Sequence, residues 1–149
     1  MGKVFEDLFM DIQEDMVCAG LDYVDSNADK IYIYGSCEGR MTMPDCFFEV
    51  DGDVYNRASL RTISDDYDVS GENQDICLRR ILKGIEKMEV LCKEYDRPMP
   101  TEIKMIYDVN DGSLSVDYKY EPVYSQHKDM LPDDVVEKWF KDVKRSLSK

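Results

Sequence analysis

Histidine is nearly absent from this 149-residue chain, His127 being the only one. The chain also lacks Gly-x-Ser-x-Gly, His-Glu-x-x-His, a Walker A loop and a dinucleotide-binding glycine pattern. These gaps remove the common sequence frameworks for serine hydrolysis, zinc hydrolysis and nucleotide binding. His127 sits in a polar stretch after the last expected strand and reads as a surface residue, because acid–base work needs a placed partner. No apolar run approaches the roughly 20 residues that a membrane-spanning helix needs. Glu6 and Asp7 stand where a secretion signal would carry its apolar segment, and Glu6 occupies the position where a myristoylation signal needs Ser or Thr. The expectation is a soluble, cytoplasmic protein without membrane contact.

Cysteine is present in the wrong pattern for a scaffold. Cys18, Cys37, Cys46, Cys77 and Cys92 are odd in number and widely spaced, and no Cys-x-x-Cys occurs. They read as small hydrophobes in a reducing compartment rather than as disulfide partners or metal ligands. No metal and no cofactor is expected.

Positive charge is scarce. Nineteen Lys and Arg stand against 32 Asp and Glu, a formal net charge of −13. The imbalance is uneven along the chain: residues 1–75 hold 18 acids and 5 bases, residues 76–149 hold 14 of each. Such a balance repels phosphate backbones and anionic lipid and favours a basic partner, so direct nucleic-acid binding is not expected. Charge serving only solubility would spread more evenly.

Hydrophobic periodicity supplies the fold. Phe5, Leu8, Phe9, Ile12 and Met16 recur at helical spacing and predict an amphipathic helix over about 3–20, ended by Gly20 and Asp25-Ser26-Asn27. Lys30–Tyr34 predicts a strand with two packed faces, Cys46–Val50 a second, and Val54–Asn56 a third after the turn Asp51-Gly52-Asp53. A polar loop over 62–72 precedes a helix over about 74–95, capped by Ser70 or Asn73 and stopped by Pro98 and Pro100. Its expected core face is Leu78, Ile81, Leu82, Ile85, Met88, Cys92 and Tyr95. A hairpin follows, 102–109 and 113–120 around Asn110-Asp111-Gly112, with Leu114, Val116, Tyr118 and Tyr120 on one face. A last helix from Pro132 carries the stripe Val136, Trp139, Phe140, Val143 and Leu147. The order α-βββ-α-ββ-α predicts one α+β domain over 1–149, helices packed on a mainly antiparallel sheet.

Within that frame the candidate contact residues are acids in loops. Asp51, Asp53, Asp65, Asp66, Asp68 and Glu72 form the expected partner-binding set, with Tyr67 as an anchoring ring. Asp108-Val109-Asn110-Asp111-Gly112 superficially looks like a calcium loop. Its glycine falls fifth instead of sixth, however, and Lys119 stands where a glutamate is needed. It reads as a hairpin turn. Carboxylates are so numerous that a pair at glycosidase spacing carries no signal, and no catalytic residue is assigned.

Several segments together resemble the YezG-like immunity (antitoxin) proteins of bacterial polymorphic toxin systems. They are the first helix leading into Lys30-Ile31-Tyr32-Ile33-Tyr34, the pair Phe47-Phe48, the run Gly112-Ser113-Leu114-Ser115-Val116-Asp117-Tyr118-Lys119-Tyr120, and Leu131-Pro132. The chain departs from the family at Ser26-Asn27-Ala28-Asp29, where members carry Ile-Pro and a tryptophan, and at Pro98-Met99-Pro100, where they carry Pro-Trp. The resemblance implies a protein that binds a basic cognate toxin domain, typically a nuclease, and neutralises it inside the producing cell. Composition alone is equally compatible with a general acidic adaptor that binds a basic protein unrelated to toxins.

Overall fold

The computed structural model describes residues 4–38, 41–121 and 132–147. Its elements are α1 (Phe5–Tyr23), β1 (Lys30–Glu38), β2 (Met41–Val50), β3 (Asp53–Asn56), α2 (Gly71–Glu94), β4 (Glu102–Asp108), β5 (Leu114–Lys119) and α3 (Pro132–Leu147). A short 3-10 turn, Ser59–Thr62, links β3 to α2. The α+β class and the element order agree with the sequence reading. All strand pairs are antiparallel, in the order β3-β2-β1-β4-β5. The central place of β1 follows from its composition: every residue from Ile31 to Glu38 is buried, as a strand covered on both faces requires.

One face of the sheet meets α1 and α2. Ile31 and Ile33, Cys46 and Phe48, and Ile103 and Met105 pack against Met16 of α1 and Ile81, Ile85 and Met88 of α2. Burying each such side chain contributes roughly 1.5–3 kcal/mol. Two glycines allow the close approach. A Cβ at Gly20 would lie 2.6 Å from Ile31 Cγ2, and one at Gly84 would collide with the Met16 side chain. Gly20 therefore does not end α1. It sits inside a helix that runs to Tyr23, and Asp25 and Ser26, both at positive φ, turn the chain. The core face of α2 is likewise rotated from expectation. Ile81, Ile85, Met88 and Cys92 are buried as read from the sequence, but Cys77, Gly84 and Leu91 complete the stripe, and Tyr95 is exposed.

The other face carries α3. Tyr32, Phe47 and Val54 receive Trp139, Phe140, Val143 and Leu147. Ring centroids lie 4.5 Å apart for Tyr32–Phe47 and 5.0 Å for Phe47–Trp139, distances at which aromatic pairs add to simple burial. This face also buries carboxylates with partners. Glu49 accepts from Tyr32 OH at 3.1 Å. Glu102, 1% exposed, accepts from Tyr34 OH at 2.9 Å and meets Lys104 Nζ at 3.5 Å and Lys119 Nζ at 3.8 Å. Four of the five cysteines are buried, Cys18 being exposed. No described helix is long and apolar enough to cross a membrane. His127 and Leu131 lie outside the described residues.

Candidate functional site

The antiparallel register brings three connections to one end of the sheet. Lys30 pairs with Glu49 on one side and with Asp108 on the other, so the α1–β1 connection, the β2–β3 turn and the β4–β5 turn lie side by side. Asp29 ties them together. Its N–H donates to Glu49 O at 2.8 Å, and its own carbonyl accepts from Val109 N–H at 3.0 Å. Its carboxylate accepts from the Asp51 N–H at 2.8 Å and from Asn110 Nδ2 at 3.3 Å. One side chain thus crosslinks two hairpin turns to the start of the central strand.

Each turn has its own reason for carrying acids. Asp51 and Gly52 hold φ of 50° and 81°, the two-residue hairpin geometry that favours Asp-Gly. In the β4–β5 turn, Asp108 Oδ1 accepts from Asn110 N–H at 2.9 Å, and Asp111 Oδ1 accepts from Ser113 N–H at 2.8 Å. The Ser113 hydrogen bonds hold the Asp111 carboxyl below the usual carboxylate range. The Asp108 carboxylate organises backbone here, and the calcium-like pattern is a hairpin turn, as expected. Among the described residues, no group of three or more His, Cys, Asp or Glu is arranged to hold a metal ion.

The loop after the 3-10 turn closes over the same end. Tyr67 OH donates to Asn27 O at 2.7 Å, tying this loop to the α1–β1 connection. Burial first, and then the nearby carboxylates Asp51, Asp29 and Asp66, raise the Tyr67 pKa. Tyr67 is only 5% exposed and belongs to the apolar core, so its ring is not a contact anchor. It braces the loop from beneath. Tyr55 of β3 likewise packs partly buried against the same core.

The remaining acids of the expected set separate. Asp51 and Asp66 are exposed and converge with Asp29 around Tyr67. Asp65 pairs with Arg61 at 3.1 Å and stays 92% exposed. Asp68 accepts from Ser70 N–H at 3.0 Å, and the Ser70 hydrogen bonds lower its pKa. Ser70 in turn caps α2 by accepting from Asn73 N–H at 3.2 Å, which leaves Glu72 exposed in the first helical turn. Asp53 turns to the α3 side, where Lys144 Nζ lies 2.9 Å away and holds its pKa down. Asp53 is therefore partnered inside the molecule, and Asp29, Asp108 and Asp111 take its place in the cluster.

No protein-family model matches this chain, and no curated protein matches it significantly.

The chemistry available at this end is electrostatic. Asp25, Asp29, Asp51, Asp66, Asp108 and Asp111 stand on adjoining turns; among the described residues the bases beside these turns include Lys30 near Asp111, Arg61 beside Asp65 and Asp68, and Lys144 on Asp53. A cation ~10 Å from one carboxylate gains ~0.4 kcal/mol in water. Physiological salt cuts that to about a third. Summed over six acids, the field steers an approaching basic surface more than it holds one.

Proposed function

We propose that this chain is an immunity (antitoxin) protein of the YezG-like kind. It binds a basic toxin domain of the nuclease class through its acidic turn end and neutralises that toxin in the cytoplasm of the producing cell. The observation that carries this reading is the convergence of acids from three connections on Asp29. A nuclease needs a basic cleft to hold phosphates, and an anionic surface of matching size occupies that cleft or its rim. Steering raises the association rate, so newly made toxin is captured before it cleaves nucleic acid. The crosslinking through Asp29 and the brace from Tyr67 support a surface ordered before contact, which lowers the entropic cost of docking.

The test is capture of the partner from the native host with the full chain as bait, followed by co-expression of partner and chain. The expected partner is a basic toxin domain whose growth inhibition the chain relieves, in a complex that weakens as salt rises. A neutral or acidic partner, or a toxin domain that binds without being neutralised, would overturn the reading.

A further inference from the structure

The five cysteines occupy different chemical settings. Cys18 is exposed, and Cys37, Cys46, Cys77 and Cys92 are buried. Cys37 Sγ donates to Glu89 Oε2 at 3.3 Å; burial first, and then this carboxylate, push its thiol up to about 12. Cys92 lies against Met99 Sδ at 3.9 Å, and burial raises its pKa. Both are held as thiols. Cys46 of β2 and Cys77 of α2 instead bring their sulfurs to 3.7 Å from each other, where the helix packs on the sheet.

A guanidinium is fixed beside this pair. Arg57 pairs with Asp45 through Nη1, and its Nε donates to Gln74 Oε1 at 3.4 Å. Its backbone carbonyl accepts from Tyr23 OH at 3.0 Å. Asp45 precedes Cys46 in β2, and Gln74 stands about one turn before Cys77 in α2. The groups that hold Arg57 therefore come from the two elements that carry the sulfurs. Arg57 favours a thiolate at both sulfurs, Asp45 opposes it at both, and Arg80 adds to the favourable charge at Cys77. The hydrogen bond from Cys46, followed by Arg57 and Arg80, outweighs burial and holds Cys77 below the ordinary thiol value. Cys46, as the donor, goes well above it. The thiolate is the reactive form, so Cys77 is the attacking sulfur and Cys46 the resolving one.

We propose that Cys46 and Cys77 form a modification site for a small hydroperoxide, which converts them into an intramolecular disulfide joining β2 to α2. The Cys77 thiolate attacks one peroxide oxygen, the O–O bond breaks, and hydroxide leaves and takes up a proton as water. Cys77 is then a sulfenic acid. Cys46 attacks that sulfur, the S–O bond breaks, and the hydroxyl leaves with the Cys46 proton as a second water. Two thiols thus lose two protons and two electrons, and one hydrogen peroxide is reduced to two waters. The sulfurs close from 3.7 Å to the ~2.05 Å of a disulfide, an approach shared between two side chains. Cys46 is 1% exposed and Cys77 2%, so entry depends on brief local opening, which favours a two-oxygen oxidant over a bulky disulfide. The bond closes residues 46–77 into a loop that holds β3, the 3-10 turn and the segment of Asp65, Asp66 and Tyr67. It restricts the unfolded chain and so stabilises the fold. The inference is independent of the acidic-end reading.

The experiment is oxidation of the folded full chain with hydrogen peroxide, followed by alkylation in denaturant and peptide mapping without reductant. A crosslinked pair of peptides carrying Cys46 and Cys77 is expected, lighter by two hydrogens than the separate peptides, and dithiothreitol should restore both thiols. This mapping is made on the unaltered chain and needs no variant to fold. Cys46→Ala should leave Cys77 as a sulfenic acid that dimedone labels. Cys77→Ala should slow oxidation of Cys46 by at least about tenfold, and Arg57→Gln should slow crosslinking by about threefold or more. The crosslinked chain should melt about 5–10 °C above the reduced one. Three outcomes would overturn the proposal: Cys46 and Cys77 both still open to alkylation once Cys18 is oxidised, a crosslink that forms only in urea, or a crosslinked chain that melts below the reduced one. The last would mean that the bond traps an opened state instead of the packed pair.

Discussion

Two acid-rich regions of this molecule handle their charge in opposite ways. Along α1, acids from the first half of the chain meet bases from the second. Asp22 lies 2.6 Å from Arg80, Glu6 lies 3.4 Å from Arg97, and Asp15 shares a hollow with Arg80, Lys83 and Lys87. At the turn end the carboxylates bond to backbone N–H groups, which fixes geometry without cancelling charge. Acid-rich sequence therefore has two meanings. The helical layer spends its charge internally, and the turn end leaves a field for another molecule to meet. The net charge of the first 75 residues thus overstates the acidity of the α1 surface and understates the contribution of Asp108 and Asp111, which belong to the neutral half of the sequence.

The contrast can be broken by perturbing one region at a time. The largest effect belongs to the helical layer: Gly20→Val drives a side chain into Ile31 and should cost about 3 kcal/mol in urea denaturation. Next is Asp29→Ala, which removes two hydrogen bonds to a carboxylate and should cost about 2 kcal/mol while speeding exchange of the Asp51 amide. Asp65→Lys combined with Asp66→Lys should leave stability within about 0.5 kcal/mol and slow association with the basic partner by about tenfold at low salt. Acid should act selectively. Asp53, Asp68 and Asp111 have pKa values below the ordinary carboxylate value, so their stabilisation is complete above that value and is lost as pH falls through the lowered ones. NMR titration of these three carboxyls should give midpoints below 3.8, their ordinary value. Smallest is Asp22→Ala, which breaks an exposed pair with Arg80 and should change stability by no more than about 0.5 kcal/mol without altering association. Should Asp22→Ala slow association as much as the Asp65 and Asp66 reversals, the two regions would not differ in kind.

Local pattern made the elements legible. The α3 stripe of Val136, Trp139, Phe140, Val143 and Leu147 and the two-faced burial of β1 follow directly from apolar spacing. Two core positions escaped because glycine carries no apolar signal. Gly20 reads as a helix stop, and Gly84 is invisible in a stripe defined by leucines, yet both exist to let other side chains approach. Tyr67 misleads in the opposite sense, since acidic neighbours make an inward ring look like a surface one. The candidate site was legible only in part. Asp51 and Asp66 stand out as loop acids, whereas Asp29, Asp108 and Asp111 join them only once β1 is known to lie between β2 and β4. That neighbour relation is non-local, and no short window of sequence contains it.

Trp139 is the only tryptophan in the chain, and its ring stands on Phe47 and Tyr32 with Lys104 Nζ 5.4 Å from its centroid. Its emission therefore reports a single event, the seating of α3 on the sheet. Circular dichroism reads all three helices at once. Coincident melting curves from the two signals would mark one cooperative unit, and an earlier fluorescence change would mark α3 as a separately detachable layer.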